Sequence, residues 1–136
     1  MTRSRATAKT EGTRFETTIA RYLAERLNDD RIERRTRNGT KDRGDIGGVR
    51  TITGGRVVVE CKTVARDALP AWVREAETER LNDDAAVGVV VHKARGKGAP
   101  GDQFVTMTLE MFARLLEGGV YAPVIVLDPH TLQVSA

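Results

Sequence analysis

The feature that most constrains the fold is an apolar run ending in two charges, residues 56–62 with the sequence RVVVECK. Such a density of β-branched residues is typical of a strand. Alternate side chains of a strand share a face, so Val58, Glu60 and Lys62 point the same way. Charged groups there must stay near water, pair with each other or bind a metal ion. The run therefore predicts an edge strand with a solvated face, a simple ion pair between Glu60 and Lys62, or a polar site.

Hydrophobic periodicity and turn residues divide the rest of the chain into short elements. Apolar residues at helical spacing predict a helix over 13–27, and Pro70 can start another over 70–81. A glycine turn at 53–55 joins the apolar strand to a preceding strand as a hairpin. Further strands are predicted over 31–37, 45–52, 86–91, 104–108 and 123–127, with a short helix over 109–117. The order α-β-β-β-α-β-β-α-β predicts an α/β fold with a central mixed β-sheet flanked by helices.

Length and composition fit one domain. The chain has 136 residues and one cysteine, Cys61, so no internal disulfide is possible. Two widely separated histidines argue against a structural zinc site, and a reducing setting is favoured. No apolar run approaches the roughly 20 residues that span a membrane. We expect a flexible basic N-terminal arm over 1–12, a single domain over 13–136, and a cytoplasmic location in a bacterial or phage-infected cell.

Basic residues are concentrated in the first part of the chain. Residues 1–50 hold 13 Lys/Arg against 8 Asp/Glu, whereas residues 51–136 hold 9 against 11. An excess of arginine favours phosphate contacts, although a charge run is more often a solvated surface. The candidates for contact with DNA are Arg14, Arg35, Arg37, Lys41, Arg43, Lys93, Arg95 and Lys97.

Asp45 lies directly before the strand that pairs with the apolar strand across the glycine turn. A hairpin brings the beginning of one strand beside the end of the other, so Asp45 and Glu60 should converge. Two carboxylates form a hard-oxygen site that suits Mg²⁺ or Mn²⁺. Lys62 beside them can hold an attacking water or offset charge on phosphorus, which indicates phosphodiester hydrolysis. Asp42 is a rival first carboxylate, and Asp45 has the alternative of a turn-forming residue beside Gly44.

These residues resemble a known signature. Asp45, followed fifteen residues later by Glu60-Cys61-Lys62, resembles the PD-(D/E)XK motif of the restriction-endonuclease-like superfamily, with Gly44 in place of the proline. Residues 12–16, GTRFE, resemble the G-x-x-x-E element that opens the first helix of archaeal-type Holliday junction resolvases. The resemblance covers roughly residues 9–95. It implies a restriction-endonuclease-like fold in which Glu16, Asp45, Glu60 and the Cys61 backbone carbonyl hold Mg²⁺, with Mn²⁺ substituting.

The resemblance also implies a function. Glu16, Asp45, Glu60 and Lys62 would be the catalytic residues of a homodimeric endonuclease that cuts four-way DNA junctions. The alternatives are a superfamily nuclease acting on duplex, flap or single-stranded DNA, and a non-catalytic DNA-binding module of the same fold. Glu16 has a second interpretation, because Thr13 and Glu16 also match a helix capping box. Candidate dimer surfaces are the strand over 123–127 and the helix bearing Trp72.

Overall fold

The computed structural model of the protein describes residues 4–36 and 39–118. Its elements follow the predicted order as far as the third helix, and the predicted strand over 123–127 lies outside the described residues. In chain order they are α1 (Arg5–Arg26), β1 (Glu33–Arg34), β2 (Ile46–Gly47), β3 (Val57–Lys62), α2 (Leu69–Asn82), β4 (Val87–His92), a 3₁₀ turn (Pro100–Asp102), β5 (Phe104–Thr106) and α3 (Leu109–Leu116).

The five described strands form one mixed sheet in the order β1-β2-β3-β4-β5. β3 and β4 pair in parallel, and every other neighbouring pair is antiparallel. Parallel neighbours need a crossover connection, which α2 supplies. The expected α/β class with a mixed sheet and flanking helices is confirmed at this level. β3 is the middle strand of the described sheet, so its interpretation as an edge strand is wrong.

Both faces of the sheet are covered. On one face, Val57 and Val59 of β3 pack in a cluster with Ile19 of α1 and Met111 of α3. On the other face, Val90 of β4 packs with α2 through a second cluster that holds Trp72 and Ala76. Burial on both faces explains why β3 and β4 are apolar along most of their length. Trp72 is a core residue of this second layer.

The first helix begins earlier than predicted. It starts at Arg5, and the Ser4 side chain caps it by accepting a hydrogen bond from the Thr7 backbone N–H. Residues 5–12 of the predicted arm are therefore helical. Thr13 lies in the interior of α1, where its carbonyl accepts a hydrogen bond from the Thr17 hydroxyl. The capping-box interpretation of Thr13 and Glu16 is consequently wrong.

The second strand is shorter than predicted, because the chain turns at Gly48. Gly48 has a φ of +83°, and a Cβ there would collide with the Arg31 carbonyl. Only glycine tolerates both conditions. The hairpin continues beyond this kink as a single bridge between Arg50 and Arg56.

Candidate functional site

The β2–β3 register brings Asp45 beside Glu60. Ile46 pairs with Val59, and the Asp45 N–H donates to the Val59 carbonyl at 2.9 Å. Asp45 directly precedes β2, so this hydrogen bond, and not a ladder pair, holds it against β3. The Asp45 Oδ2 accepts a hydrogen bond from the Cys61 N–H at 2.8 Å. These two hydrogen bonds place Asp45 beside the end of β3, close enough for the charge of Glu60 to raise its pKa.

The loop over residues 41–45 is fixed by hydrogen bonds within itself, to α2 and to Arg35. The Asp42 Oδ1 accepts from the Gly44 N–H at 3.0 Å, and the Asn82 Nδ2 donates to the Asp42 carbonyl at 2.8 Å. The Arg35 Nη1 donates to the Arg43 carbonyl at 2.7 Å. These bonds hold the loop in place, so the carboxylates of both Asp42 and Asp45 lie at this end of the hairpin.

A fourth carboxylate, that of Glu79, joins from α2, and the group that it forms with Asp42 and Glu60 does not include Asp45. Single carboxylate oxygens of Asp42, Glu60 and Glu79 all lie within 4.8 Å of one another. Glu60 is 7% exposed and Glu79 is 4% exposed. The Oε2 atoms of both glutamates are buried and have no hydrogen-bond partner among the described residues. Buried carboxylates in such a group need a positive partner, and divalent cations with oxygen ligands fit this donor set.

Lys62 adds one positive charge to the group. Its Nζ lies 3.5 Å from the Glu60 Oε1 and 2.5 Å from the Glu75 Oε2. Burial lowers the pKa of Lys62, but the ion pairs with Glu75 and Glu60 outweigh burial and raise it overall. Lys62 therefore remains an ammonium at neutral pH.

The crowding of carboxylates is visible in their pKa values. Burial, followed by the charge of Glu60, raises the pKa of Asp45 to about 7. Burial and the neighbouring Glu79 raise the pKa of Glu60 to about 9. Burial also raises the pKa of Glu79 to about 7. Groups with perturbed pKa values cluster at functional sites, because burying several ionisable groups together costs stability and is retained where the groups have a function.

Glu79 is the site residue that the sequence analysis missed. Helical spacing predicts that Trp72, Val73 and Ala76 face inward, whereas the buried residues of α2 are Trp72, Ala76 and Glu79. Spacings of four and three residues place all three buried residues on one stripe of α2. The signal in the sequence was a glutamate at a position where helical spacing from Trp72 and Ala76 predicts a buried side chain.

Glu16 reaches the edge of the site from α1. Its Oε2 accepts from the Arg34 Nε at 2.8 Å, and it is not a member of the group that Asp42, Glu60 and Glu79 form. Its negative charge still contributes to the raised pKa of Asp45, after burial and Glu60.

Cys61 contributes to the site through its backbone and not through its thiol. Its carbonyl points to the same side of β3 as its N–H, toward Asp45, while burial raises the pKa of its thiol.

The predicted DNA-contacting cations divide into engaged and exposed residues. Arg35 holds the 41–45 loop and lies 3.5 Å from Asp83, so its guanidinium is occupied within the chain. The Arg95 guanidinium donates to the Ala65 carbonyl, and the Lys93 ammonium donates to the Lys97 carbonyl. Exposed candidates are Arg14, Lys41, Arg43 and Lys97, and Arg37 lies outside the described residues.

Two concavities of the structure are lined in part by basic residues. A cavity of about 310 Å³ lies beyond the end of β3, where Arg14, Thr63, Lys93 and Gln103 line it. A groove of about 530 Å³ runs beside β1, where Arg31, Arg34 and Arg35 line it.

No protein-family model, no curated protein and no solved structure matched this chain significantly. The resemblance to the PD-(D/E)XK superfamily therefore rests on the motif residues of the sequence alone. Within residues 4–36 and 39–118, no helix is long and apolar enough to cross a membrane.

Proposed function

We propose that the protein is a Mg²⁺-dependent DNA endonuclease of the PD-(D/E)XK type that cuts four-way junctions as a homodimer. The observation that carries the chemistry is that Asp45 bonds to the Cys61 N–H, while Lys62 pairs with Glu60, whose Oε2 is buried without a hydrogen-bond partner among the described residues. The junction substrate and the dimer come from the resemblance to archaeal-type resolvases. A symmetric pair of cuts needs two active sites related by a two-fold axis.

The residues present fit a divalent cation. Asp45, Glu60 and the Cys61 carbonyl would hold Mg²⁺, and Mn²⁺ would substitute because both are hard cations that prefer oxygen ligands. Glu16, which is held by Arg34, would act through an intervening water. When bound, the cation supplies positive charge to the scissile phosphate and makes water more acidic.

Lys62 is the group that orients the nucleophile. Its ammonium donates three hydrogen bonds, and Glu60 and Glu75 fix its position. A lysine held this way can hold a water in line with the scissile bond and offset charge that develops on the phosphate oxygens. Glu75 is more than half exposed, so phosphate can displace it without uncovering a buried charge.

Basic residues beside the site provide a path for the DNA backbone. The cavity beyond β3 carries Arg14, whose side chain is exposed. The groove beside β1 carries Arg31 and Arg34, which pair with Asp29 and Glu16 and would exchange these partners for phosphate. Neutralising phosphate charges makes binding steeply salt-dependent, which is a property of any such surface.

The proposal is tested with a substrate panel. A four-way junction, a flap, a linear duplex and a single strand of matched sequence are incubated with the protein in Mg²⁺, and products are resolved on denaturing gels. We expect the junction to be cut symmetrically and at least tenfold faster than the duplex. Equal cutting of junction and duplex would remove the resolvase assignment and leave the nuclease. The absence of cleavage on every substrate would favour a binding module.

Variants show whether the assigned residues perform the cleavage. Lys62→Ala and Asp45→Asn should each lower the cleavage rate by about 10²-fold or more, because transition-state charge stabilisation is lost. Binding to the junction, measured in Ca²⁺ by anisotropy, should change little. Lys9→Ala, which removes an exposed ammonium of α1, serves as the control. Wild-type cleavage by either site variant would refute the assignment.

A further inference from the structure

We infer that Glu79 of α2, together with Asp42 and Glu60, forms a second divalent-cation position, so that Glu60 is shared between two cations. The resembled signature supplies Asp45 and Glu60 for one cation and has no counterpart of Glu79. The inference deepens the proposed function and rests on it for its catalytic meaning. Cation binding itself is measurable without any DNA.

The geometry of the three carboxylates fits one ion. One oxygen from each of Asp42, Glu60 and Glu79 lies within 4.8 Å of the other two. Oxygen ligands lie roughly 2.0–2.6 Å from Mg²⁺ or Ca²⁺, so oxygens on opposite sides of an ion are about 4–5 Å apart. Three carboxylates at this spacing can therefore bind one cation with only small side-chain adjustments.

The unpartnered oxygens supply independent support. The Oε2 atoms of Glu60 and Glu79 are buried without a hydrogen-bond donor among the described residues. A buried carboxylate oxygen without a partner is costly, so a missing partner is expected. Lys62 and Arg80, which lie on the same two elements as the glutamates, have other partners. Lys62 pairs through the other oxygen of Glu60 and through Glu75, and Arg80 pairs with Glu77 and the Ala85 carbonyl.

Each of the three carboxylates is held by a different part of the fold. Asp42 sits in a loop that Asn82 and the Gly44 N–H fix. Glu60 lies on the central strand, and Glu79 lies on the buried stripe of α2 with Ala76. Side chains on rigid supports lose little freedom when they bind an ion, which distinguishes this group from a chance cluster of surface acids.

The competing explanation is a proton shared between Glu60 and Glu79 with no cation. The two explanations differ in stoichiometry. Mn²⁺ is titrated into the full chain without DNA, at pH 8.0, and free Mn²⁺ is followed by electron paramagnetic resonance. We expect two Mn²⁺ per wild-type chain and one for Glu79→Gln, with the second event weakened at least tenfold. Asp45→Asn should also retain one, because it removes the other position.

Matched variants keep the result interpretable. Glu77→Gln makes the same substitution two residues away on α2 and should retain both cations, because Glu77 pairs with Arg80 and is not in the group. Glu79→Asp keeps the charge on a shorter side chain and should bind the second Mn²⁺ with intermediate affinity, even if Glu79→Gln fails to fold. Wild-type protein that binds one Mn²⁺, or a Glu79→Gln variant that binds two with unchanged affinity, would overturn the inference.

Failure of the inference is distinguishable from failure of the proposed function. If wild type binds two Mn²⁺, Glu79→Gln binds one, and no DNA is cut, the cation site stands and the nuclease does not. If wild type cuts DNA while Glu79→Gln retains both cations, the nuclease stands and the second position does not.

Discussion

Gly44 occupies the position at which the resembled signature has proline, and its backbone explains the difference. Its φ is +90°, whereas proline is fixed near −65°. A Cβ at Gly44 would lie 2.8 Å from the Val58 Cγ1 and 3.1 Å from the Val59 carbonyl oxygen. The chain can therefore approach β3 closely enough to present Asp42 and Asp45 together only with glycine at this position.

Substitution of Gly44 should be more costly than substitution of a glycine that lacks this contact. Gly44→Ala should lose about 1–2 kcal/mol from the left-handed backbone and about 1–3 kcal/mol more from the overlap with Val58. Gly54 also has a positive φ, +97°, but a Cβ there meets nothing within 4 Å, so Gly54→Ala should show only the first loss. Urea unfolding monitored by circular dichroism measures both, and equal losses would contradict the close approach.

Single residues differ in how well the sequence predicts their place. Asp45, Glu60 and Lys62 follow from strand alternation and one hairpin, which are local features. Arg35 does not, because its guanidinium is held by the Arg43 carbonyl and Asp83, the latter from the end of α2. Charge alone marked Arg35 as a DNA contact, and only long-range contacts reveal that it supports the loop.

At the scale of elements, α2 holds the site together. It supplies Glu79 to the carboxylate group, Glu75 to Lys62, and Asn82 to the loop that carries Asp42. The spacing of Glu75, Glu79 and Asn82 places them along one side of the helix. A helix that packs on the sheet through Trp72 thus also fixes the relative position of β3 and the 41–45 loop.

Loss of the Asn82 side chain should therefore affect both stability and cation binding. Asn82→Ala removes the hydrogen bond to the Asp42 carbonyl, so about 1 kcal/mol of stability should be lost. The freed loop should weaken Mn²⁺ binding several-fold. Thr78→Ala is the matched control, because its hydroxyl bonds only to the Arg74 carbonyl of the same helix. If both variants bind Mn²⁺ as wild type does, the loop is not held in this way.

The order of the elements was predictable from the sequence, whereas some of their boundaries and their pairing were not. Periodicity gave the order of helices and strands, because each element carries its own pattern. The early start of α1 was missed, since residues 5–12 have no apolar stripe and are capped by Ser4. The break at Gly48 depends on the Arg31 carbonyl, which is remote in the sequence. The parallel pairing of β3 with β4 is likewise a property of the assembled sheet.

Over the whole molecule, the carboxylate group makes stability depend on pH. The folded-state pKa values of Asp45 and Glu79 are about 7 and that of Glu60 is about 9, in each case first because of burial. All three exceed the values near 4 expected in the unfolded chain. The folded protein therefore binds more protons than the unfolded chain between about pH 4 and pH 9, and stability falls as pH rises through this window.

We expect this trend to be large without a divalent cation and small with one. In EDTA, the thermal midpoint should fall from pH 5.5 to pH 8.5, and each kcal/mol lost lowers it by roughly 3–6 °C for a chain of this size. Saturating Mg²⁺ binds the ionised carboxylates, so it should raise the midpoint strongly at pH 8.5 and little at pH 5.5. Glu79→Gln removes one titrating group and should flatten the EDTA profile, whereas Glu77→Gln should not. A midpoint that rises across this window in EDTA, or that Mg²⁺ shifts equally at both pH values, would show that these carboxylates are already ionised and solvated in the folded protein.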